Sequence, residues 1–187
     1  YRKKELQALS KVIIKHKLLL ISDEVYDDLT YDYRHTPVAS LGASIKERVI
    51  YLNGFSKGYA MTGWRIGFAC AHRDIIGAMT KVHQYTMLCA PITSQMAACE
   101  ALQSATKSVE EMKREYQRRR NFVIQRLNEI GLRCVHPHGA FYAFPSIKNT
   151  GLSSIDFANR LLQEKKVAVV PGSAFGQFYD DYIRISY

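Results

Sequence analysis

A lysine, an arginine and an aspartate define the chemistry open to this chain. Lys57 stands in the run Gly54-Phe55-Ser56-Lys57-Gly58-Tyr59-Ala60-Met61-Thr62-Gly63-Trp64-Arg65-Ile66-Gly67, a short loop that follows an apolar strand, and Arg65 comes eight positions after it. A partly desolvated lysine amine loses its proton and becomes a nucleophile that can capture an aldehyde. An arginine is a fixed cation whose planar fork fits a phosphate. Asp23 lies just past the end of another apolar run, where a carboxylate can pair with a protonated ring nitrogen and keep that ring electron-poor. Tyr26, three residues on, can reach a phenolic oxygen or simply pack as an aromatic. An aldehyde beside a phosphate describes pyridoxal 5'-phosphate (PLP). Taken singly, each residue has a plainer reading: Asp23 as a strand-end turn residue, Ser56-Lys57 as a common dipeptide, and Arg184 in the tail Tyr182-Ile183-Arg184-Ile185-Ser186-Tyr187 as an edge or interface charge.

The elements that must position these groups alternate in type. Glu5 to His16 carries Leu6, Leu9, Val12 and Ile13 on one helical face, and Leu18 to Ser22 reads as a buried strand. Polar turn material runs on to about Lys46, then strands are predicted at Val49–Leu52 and Ile66–Ala71 and a helix at Asp74–Tyr85. Pro91 suits the first position of a helix over Ile92–Gln103. A long helix is predicted from Ser108 to Ile130, stopped by Gly131. Beyond it come a strand near Ala140–Phe144, a helix at Ser154–Lys165 capped by Ser153 or Ser154, and strands at Val167–Val170 and Tyr182–Ser186. This order predicts an α/β fold. Residues 1–115 form part of a mostly parallel large-domain sheet, and 116–187 a small α+β C-terminal domain, with the boundary inside the long helix.

The long lysine string, with Ser22-Asp23-Glu24-Val25-Tyr26, resembles the class I/II branch of the fold type I PLP-dependent aminotransferases, which includes the aspartate and aromatic aminotransferases. The resemblance implies PLP as cofactor, with Lys57 as its covalent anchor and proton shuttle. It implies Arg65 and Ser56 at the phosphate, Asp23 at the pyridinium nitrogen, Tyr26 at the phenolic oxygen and Arg184 on the substrate α-carboxylate. The strings His138-Gly139-Ala140-Phe141-Tyr142-Ala143-Phe144-Pro145 and Val170-Pro171-Gly172-Ser173-Ala174-Phe175-Gly176 resemble small-domain strings of the same family. Gly54 departs from it, because many members carry a phosphate-binding hydroxyl there. Family members are about twice this long, so the chain reads as an internal fragment that lacks the ring-stacking aromatic and the rest of the phosphate cradle. Amino acid and 2-oxo acid substrates and a homodimeric parent are implied, with Gln84 to Ser94 reaching toward the partner. The activity expected is amino-group transfer between an L-amino acid and a 2-oxo acid. A related PLP lyase or synthase, or a catalytically incomplete association module, stays open.

Bulk properties narrow the field further. Hydrophobic residues make up 47% and charged residues 23% of the 187, an ordinary globular balance, and the net charge is +9. The densest basic cluster, Lys113-Arg114 with Arg118-Arg119-Arg120, is interleaved with Glu110, Glu111 and Glu115, which reads as a solvated helix face rather than a nucleic-acid platform. Cys70, Cys89, Cys99 and Cys134 are too widely spaced for a zinc hook and read as reduced, mostly buried thiols of a cytoplasmic protein. His136 and His138 make at most half a metal site, so no metal is expected. No signal peptide or membrane-spanning run is evident.

Overall fold

In the computed structural model, which describes residues 1–187, the apolar run after the first helix enters a sheet as β1, Leu20–Asp23. It pairs in parallel with β2, Val49–Gly54, in the register Leu20 to Val49 and Asp23 to Leu52. β3, Gly67–Cys70, runs antiparallel to β2 with Gly67 opposite Gly54, so the order is β1-β2-β3 and the sheet is mixed. A parallel pair needs a crossover, and residues 24–48 supply it. That stretch is more than polar turn material: it holds short 3-10 turns at Asp27–Leu29 and Val38–Leu41 and the four-residue helix α2, Ala43–Lys46. Its apolar residues are drawn inward because a crossover has to pack back on its sheet. Leu29 is fully buried, and Val38 and Ile45 join Leu6, Ile13 and Val49 in one core. Leu6 and Ile13 come from α1, Lys3–Lys15, on the apolar face that the sequence predicts.

After β2 the chain makes one helical turn, α3, Phe55–Gly58. Beyond β3 come α4, Arg73–Thr86, and α5, Ile92–Ser104, with Pro91 at the N-cap of α5 rather than inside the helix. α4 buries none of its residues and α5 buries only Ser94 and Ala98. α6, Thr106–Glu129, is the long helix. The chain divides into two compact units, Tyr1–Glu111 and Met112–Tyr187, with the division in the first turns of α6.

The second unit has its own antiparallel sheet. β4, Tyr142–Ala143, and β5, Val170–Pro171, flank β6, Ile183–Ser186, in the order β4-β6-β5. β4 and β5 are shorter than predicted: Ala140 and Lys166 take left-handed conformations that break extension at their starts. α7, Ser154–Lys165, lies where the sequence places it, and Ser153 is its cap, accepting from the Asp156 N–H. α6 packs a stripe of Ile124 and Leu127 on Ala143.

Arg120 continues that stripe, and this corrects the reading of the basic cluster. Arg118 and Arg119 are exposed and share Glu115. Arg120, one residue on, is 2% exposed and donates to Asn121 Oδ1 and to the Pro137 carbonyl. Helical periodicity puts 120, 124 and 127 on one face, so the third arginine is a core residue. The cysteines are also a correction. Cys70, Cys89 and Cys99 are exposed and Cys134 half-buried, because β3, the α4–α5 connection and α5 present those positions on uncovered faces. No helix is long and apolar enough to cross a membrane.

Candidate functional site

The topology of the first unit brings the predicted groups to one sheet edge. β1 and β2 are parallel, so both end there, Asp23 as the last residue of β1 and Gly54 of β2. β3 runs the other way, so Arg65 and Ile66 lead into it from the same edge, and the Ile66 carbonyl accepts the Phe55 N–H at 3.3 Å. Asp23 is exposed, and its Oδ1 accepts the Val25 N–H at 3.2 Å, which turns the chain sharply at the strand end.

Ser56 and Lys57 sit half-buried on α3, held by the buried Phe55 and Gly58 on either side. A Cβ at Gly58 would come within 2.5 Å of Asp28 Oδ2. The 3-10 turn Asp27–Leu29 therefore presses directly on the turn that carries the lysine. Tyr26 begins that 3-10 turn, and the Lys57 amine lies 5.9 Å from its ring centroid. Arg65 is exposed, with left-handed backbone at φ 49° and ψ 51°, and Nη1 donates to the Thr62 carbonyl at 3.0 Å. The buried Ser94 hydroxyl pins this loop to α5 through the Trp64 carbonyl at 2.7 Å.

Two polar networks beneath this edge have weaker signals in the sequence. Glu24 is 5% exposed. One of its oxygens accepts from the Ser22 hydroxyl and the Val38 N–H, and the other faces His35 Nε2 at 2.5 Å. Burial alone would raise this carboxyl, but the hydrogen bonds from His35, Ser22 and Val38 outweigh it and hold the group below the ordinary carboxylate value. Asp27 accepts from Asn53 Nδ2 at 2.8 Å and from the Tyr51 hydroxyl at 3.3 Å. Burial, with the charges of Asp27 and Glu24, pushes the Tyr51 phenol up against the lowering bond from Asn53. Burial and the charges of Asp28 and Asp27 do the same to Tyr59. An acidic residue next to a buried strand end is a signal that could have marked Glu24. Nothing in the sequence points to His35, eleven residues away.

Arg184 belongs to the second unit. It lies on the central strand β6 opposite Val170, and its guanidinium carbon is 4.6 Å from the Tyr142 ring centroid and 5.0 Å from that of Phe175. Its Nε is buried with no hydrogen-bond partner. In the same unit the rings of His136 and His138 are 6.1 Å apart, and no group of three or more potential metal ligands forms around them.

The family described as aminotransferase class I and II matches residues 1–187. The chain is 50% identical to the aspartate aminotransferase of Pyrococcus abyssi over 189 residues, covering 100% of this chain and 48% of that protein. It is 48% identical to aromatic-amino-acid aminotransferase 2 of Thermococcus litoralis, covering 99% of this chain and 48% of that one. Its backbone is similar to the crystal structure of the aromatic aminotransferase from Pyrococcus horikoshii, with a TM-score of 0.95 at 49% identity, over 100% of this chain and 51% of that chain. The chain thus spans about half the length of the curated relatives it matches.

Proposed function

The chain belongs to the aminotransferase class I and II family, and on that premise we propose that it supplies the lysine-bearing part of a PLP-dependent aminotransferase. In this reading it works within a polypeptide of the relatives' length and moves an amino group between an L-amino acid and a 2-oxo acid. The observation that carries the proposal is the gathering of an amine, a carboxylate and a guanidinium, from Lys57, Asp23 and Arg65, at one edge of one sheet. The donor set fits PLP group by group. A primary amine suits the aldehyde, and a guanidinium fork with the Ser56 hydroxyl suits the phosphate. A carboxylate suits the ring nitrogen and a phenol the phenolic oxygen. When bound, PLP supplies an electron sink that eases loss of a proton from the substrate α-carbon.

The chain's own residues do the rest. Lys57 Nζ would hold the cofactor by its aldehyde carbon until the substrate's own amine takes that carbon in exchange, and the freed Lys57 amine would then take the α-carbon proton as general base and return a proton as general acid. Asp23 keeps the ring nitrogen protonated. Arg65 and Ser56 hold the phosphate, Tyr26 donates to the phenolic oxygen, and Arg184 grips the substrate α-carboxylate. The first unit's mixed three-stranded sheet would then be one part of a wider, mostly parallel sheet. The exposed apolar residues Tyr85, Met87, Leu88 and Ile92, between α4 and α5, support a homodimer of the complete polypeptide.

Borohydride reduction of the PLP-loaded full-length polypeptide, followed by peptide mass analysis, tests the assignment. The cofactor's mass should appear on the peptide containing Lys57. Its appearance on another lysine, or on none, rejects the reading.

A further inference from the structure

We infer that Tyr142 and Phe175 are positioning residues that fix the Arg184 guanidinium by its faces and leave its edge to receive a substrate carboxylate. The inference rests on the reading of Arg184 as the carboxylate grip. One ring comes from a strand that flanks β6 and the other from the turn that follows the second flanking strand. Tyr142 stands on β4 opposite Ser186, so it is the diagonal neighbour of Arg184 on the adjoining strand. Phe175 ends the 3-10 turn Gly172–Phe175 that follows β5, whose Val170 is the register partner of Arg184.

The turn that delivers Phe175 is tightly built. A Cβ at Gly172 would lie 2.0 Å from the Tyr179 carbonyl oxygen and 2.5 Å from that of Tyr182, so only glycine lets the chain fold back so closely over the start of β6. Gly172 N–H donates to the Tyr182 carbonyl at 2.8 Å. Ser173 N–H donates to the hydroxyl of the fully buried Ser154, which in turn donates to Asp180 Oδ1. Phe144 packs edge-on against Phe175 at 5.6 Å and stacks on Tyr182 at 5.2 Å. Phe175 is nevertheless 44% exposed. Its ring is held in place without being swallowed by the core.

Ring faces attract a cation but accept none of its N–H groups in plane. A guanidinium held this way is oriented while its donors stay available. The buried Nε–H of Arg184 has no hydrogen-bond partner. An unpaired buried donor is costly, and a planar two-oxygen anion is the acceptor that fits a guanidinium edge.

The test uses the PLP-loaded full-length polypeptide and two amine-free carboxylates, succinate and 3-phenylpropionate, titrated to equilibrium. Phe175→Leu should weaken binding of whichever probe the parent takes by about threefold to thirtyfold, the range of a cation–π contact, with PLP affinity unchanged. Tyr142→Leu should do the same, and it keeps the test decisive if one variant folds poorly. Phe175→Tyr and Tyr142→Phe keep the rings and should bind as the parent does. In an Arg184→Lys background, Phe175→Leu should add little, because the ring acts through the guanidinium. Failure of the ring-retaining variants to restore binding, or a full additive loss in the Arg184→Lys background, overturns the inference. If Arg184→Lys weakens the probe while Phe175→Leu and Tyr142→Leu leave it unchanged, the clamp is wrong and the carboxylate reading stands. If Arg184→Lys binds as tightly as the parent, both fall.

Discussion

The acids near the sheet edge of the first unit and Arg184 of the second are held by opposite means. Around the sheet edge of the first unit, acids are fixed by directional hydrogen bonds: Glu24 by Ser22, Val38 and His35, and Asp27 by Asn53 and Tyr51. In the second unit, Arg184 is fixed by two aromatic faces and its buried Nε is left unbonded. Hydrogen bonds satisfy a charge, so they suit groups whose task is to hold a shape or an ionisation state. Ring faces orient a charge without satisfying it, which suits a group that must receive something from outside.

The largest effect should come from Lys57, to which the proposed function gives both the covalent anchor and the proton transfer. Lys57→Ala in the full-length polypeptide should lower kcat by roughly four decades or more, since one amine supplies both the anchor and the proton transfer. Single-turnover kinetics check this, and near-parental rates would remove Lys57 from the reaction. Lys57→Arg should not rescue, because a guanidinium stays protonated.

Glycines separate the two kinds of support next. Gly172→Ala forces a Cβ into two backbone carbonyls, whereas Gly58→Ala meets mainly the Asp28 side chain. Backbone cannot step aside cheaply and a carboxylate can. Gly172→Ala should therefore cost on the order of 3 kcal/mol or more, and Gly58→Ala clearly less. Denaturant unfolding measures both, and Asp28→Ala should recover most of the Gly58→Ala loss. An equal loss at the two sites would contradict the distinction.

Asp23→Asn should preserve folding and slow turnover by about one to two decades, because a charge-assisted hydrogen bond of roughly 1.5–3 kcal/mol is weakened. An unchanged rate would count against Asp23 as the ring-nitrogen partner.

Glu24 gives a smaller effect with a defined pH sign. Its carboxyl is held below the ordinary value in the fold, so the unfolded chain binds the proton more tightly. The stability it contributes is present above the unfolded value, near 4.5, and is lost as pH falls through the lower folded value. Glu24→Gln should reduce stability by about 1–3 kcal/mol at pH 7 and flatten the acid limb of the stability profile. A parental acid limb in the variant would show that another group controls it. Smallest of all, Glu115→Gln should leave Tm unchanged, although Arg118 and Arg119 lower the Glu115 carboxyl to about 2, because an exposed pair is screened by water.

Legibility in the sequence followed the range of the interactions. α7 and the strand preceding the lysine lie where periodicity places them, since both are decided by residues within a turn or two. Lys57 and Arg65 were singled out because they sit in the long specific string Gly54–Gly67, and Asp23 because it sits in the shorter string Ser22–Tyr26. Arg120 was misread because its neighbours in sequence are solvated, while its burial depends on the Pro137 carbonyl seventeen residues away. The Glu24–His35 pair and the rings on Arg184 depend on strand order and loop return, which no local pattern encodes. The thiols were misjudged for a related reason: a cysteine's burial depends on what covers its face, and nothing near it in sequence says so.

Those thiols divide unevenly between the units, and this makes the chain its own reporter. Cys70, Cys89 and Cys99, all exposed, lie in the first unit, and Cys134, half-buried with its thiol pushed up by burial, lies in the second. A thiol-reactive dye should label three positions fast and the fourth slowly, as thiolate is scarce where burial opposes charge. The slow phase then times the opening of the unit that holds Arg184, with no label having to be engineered in.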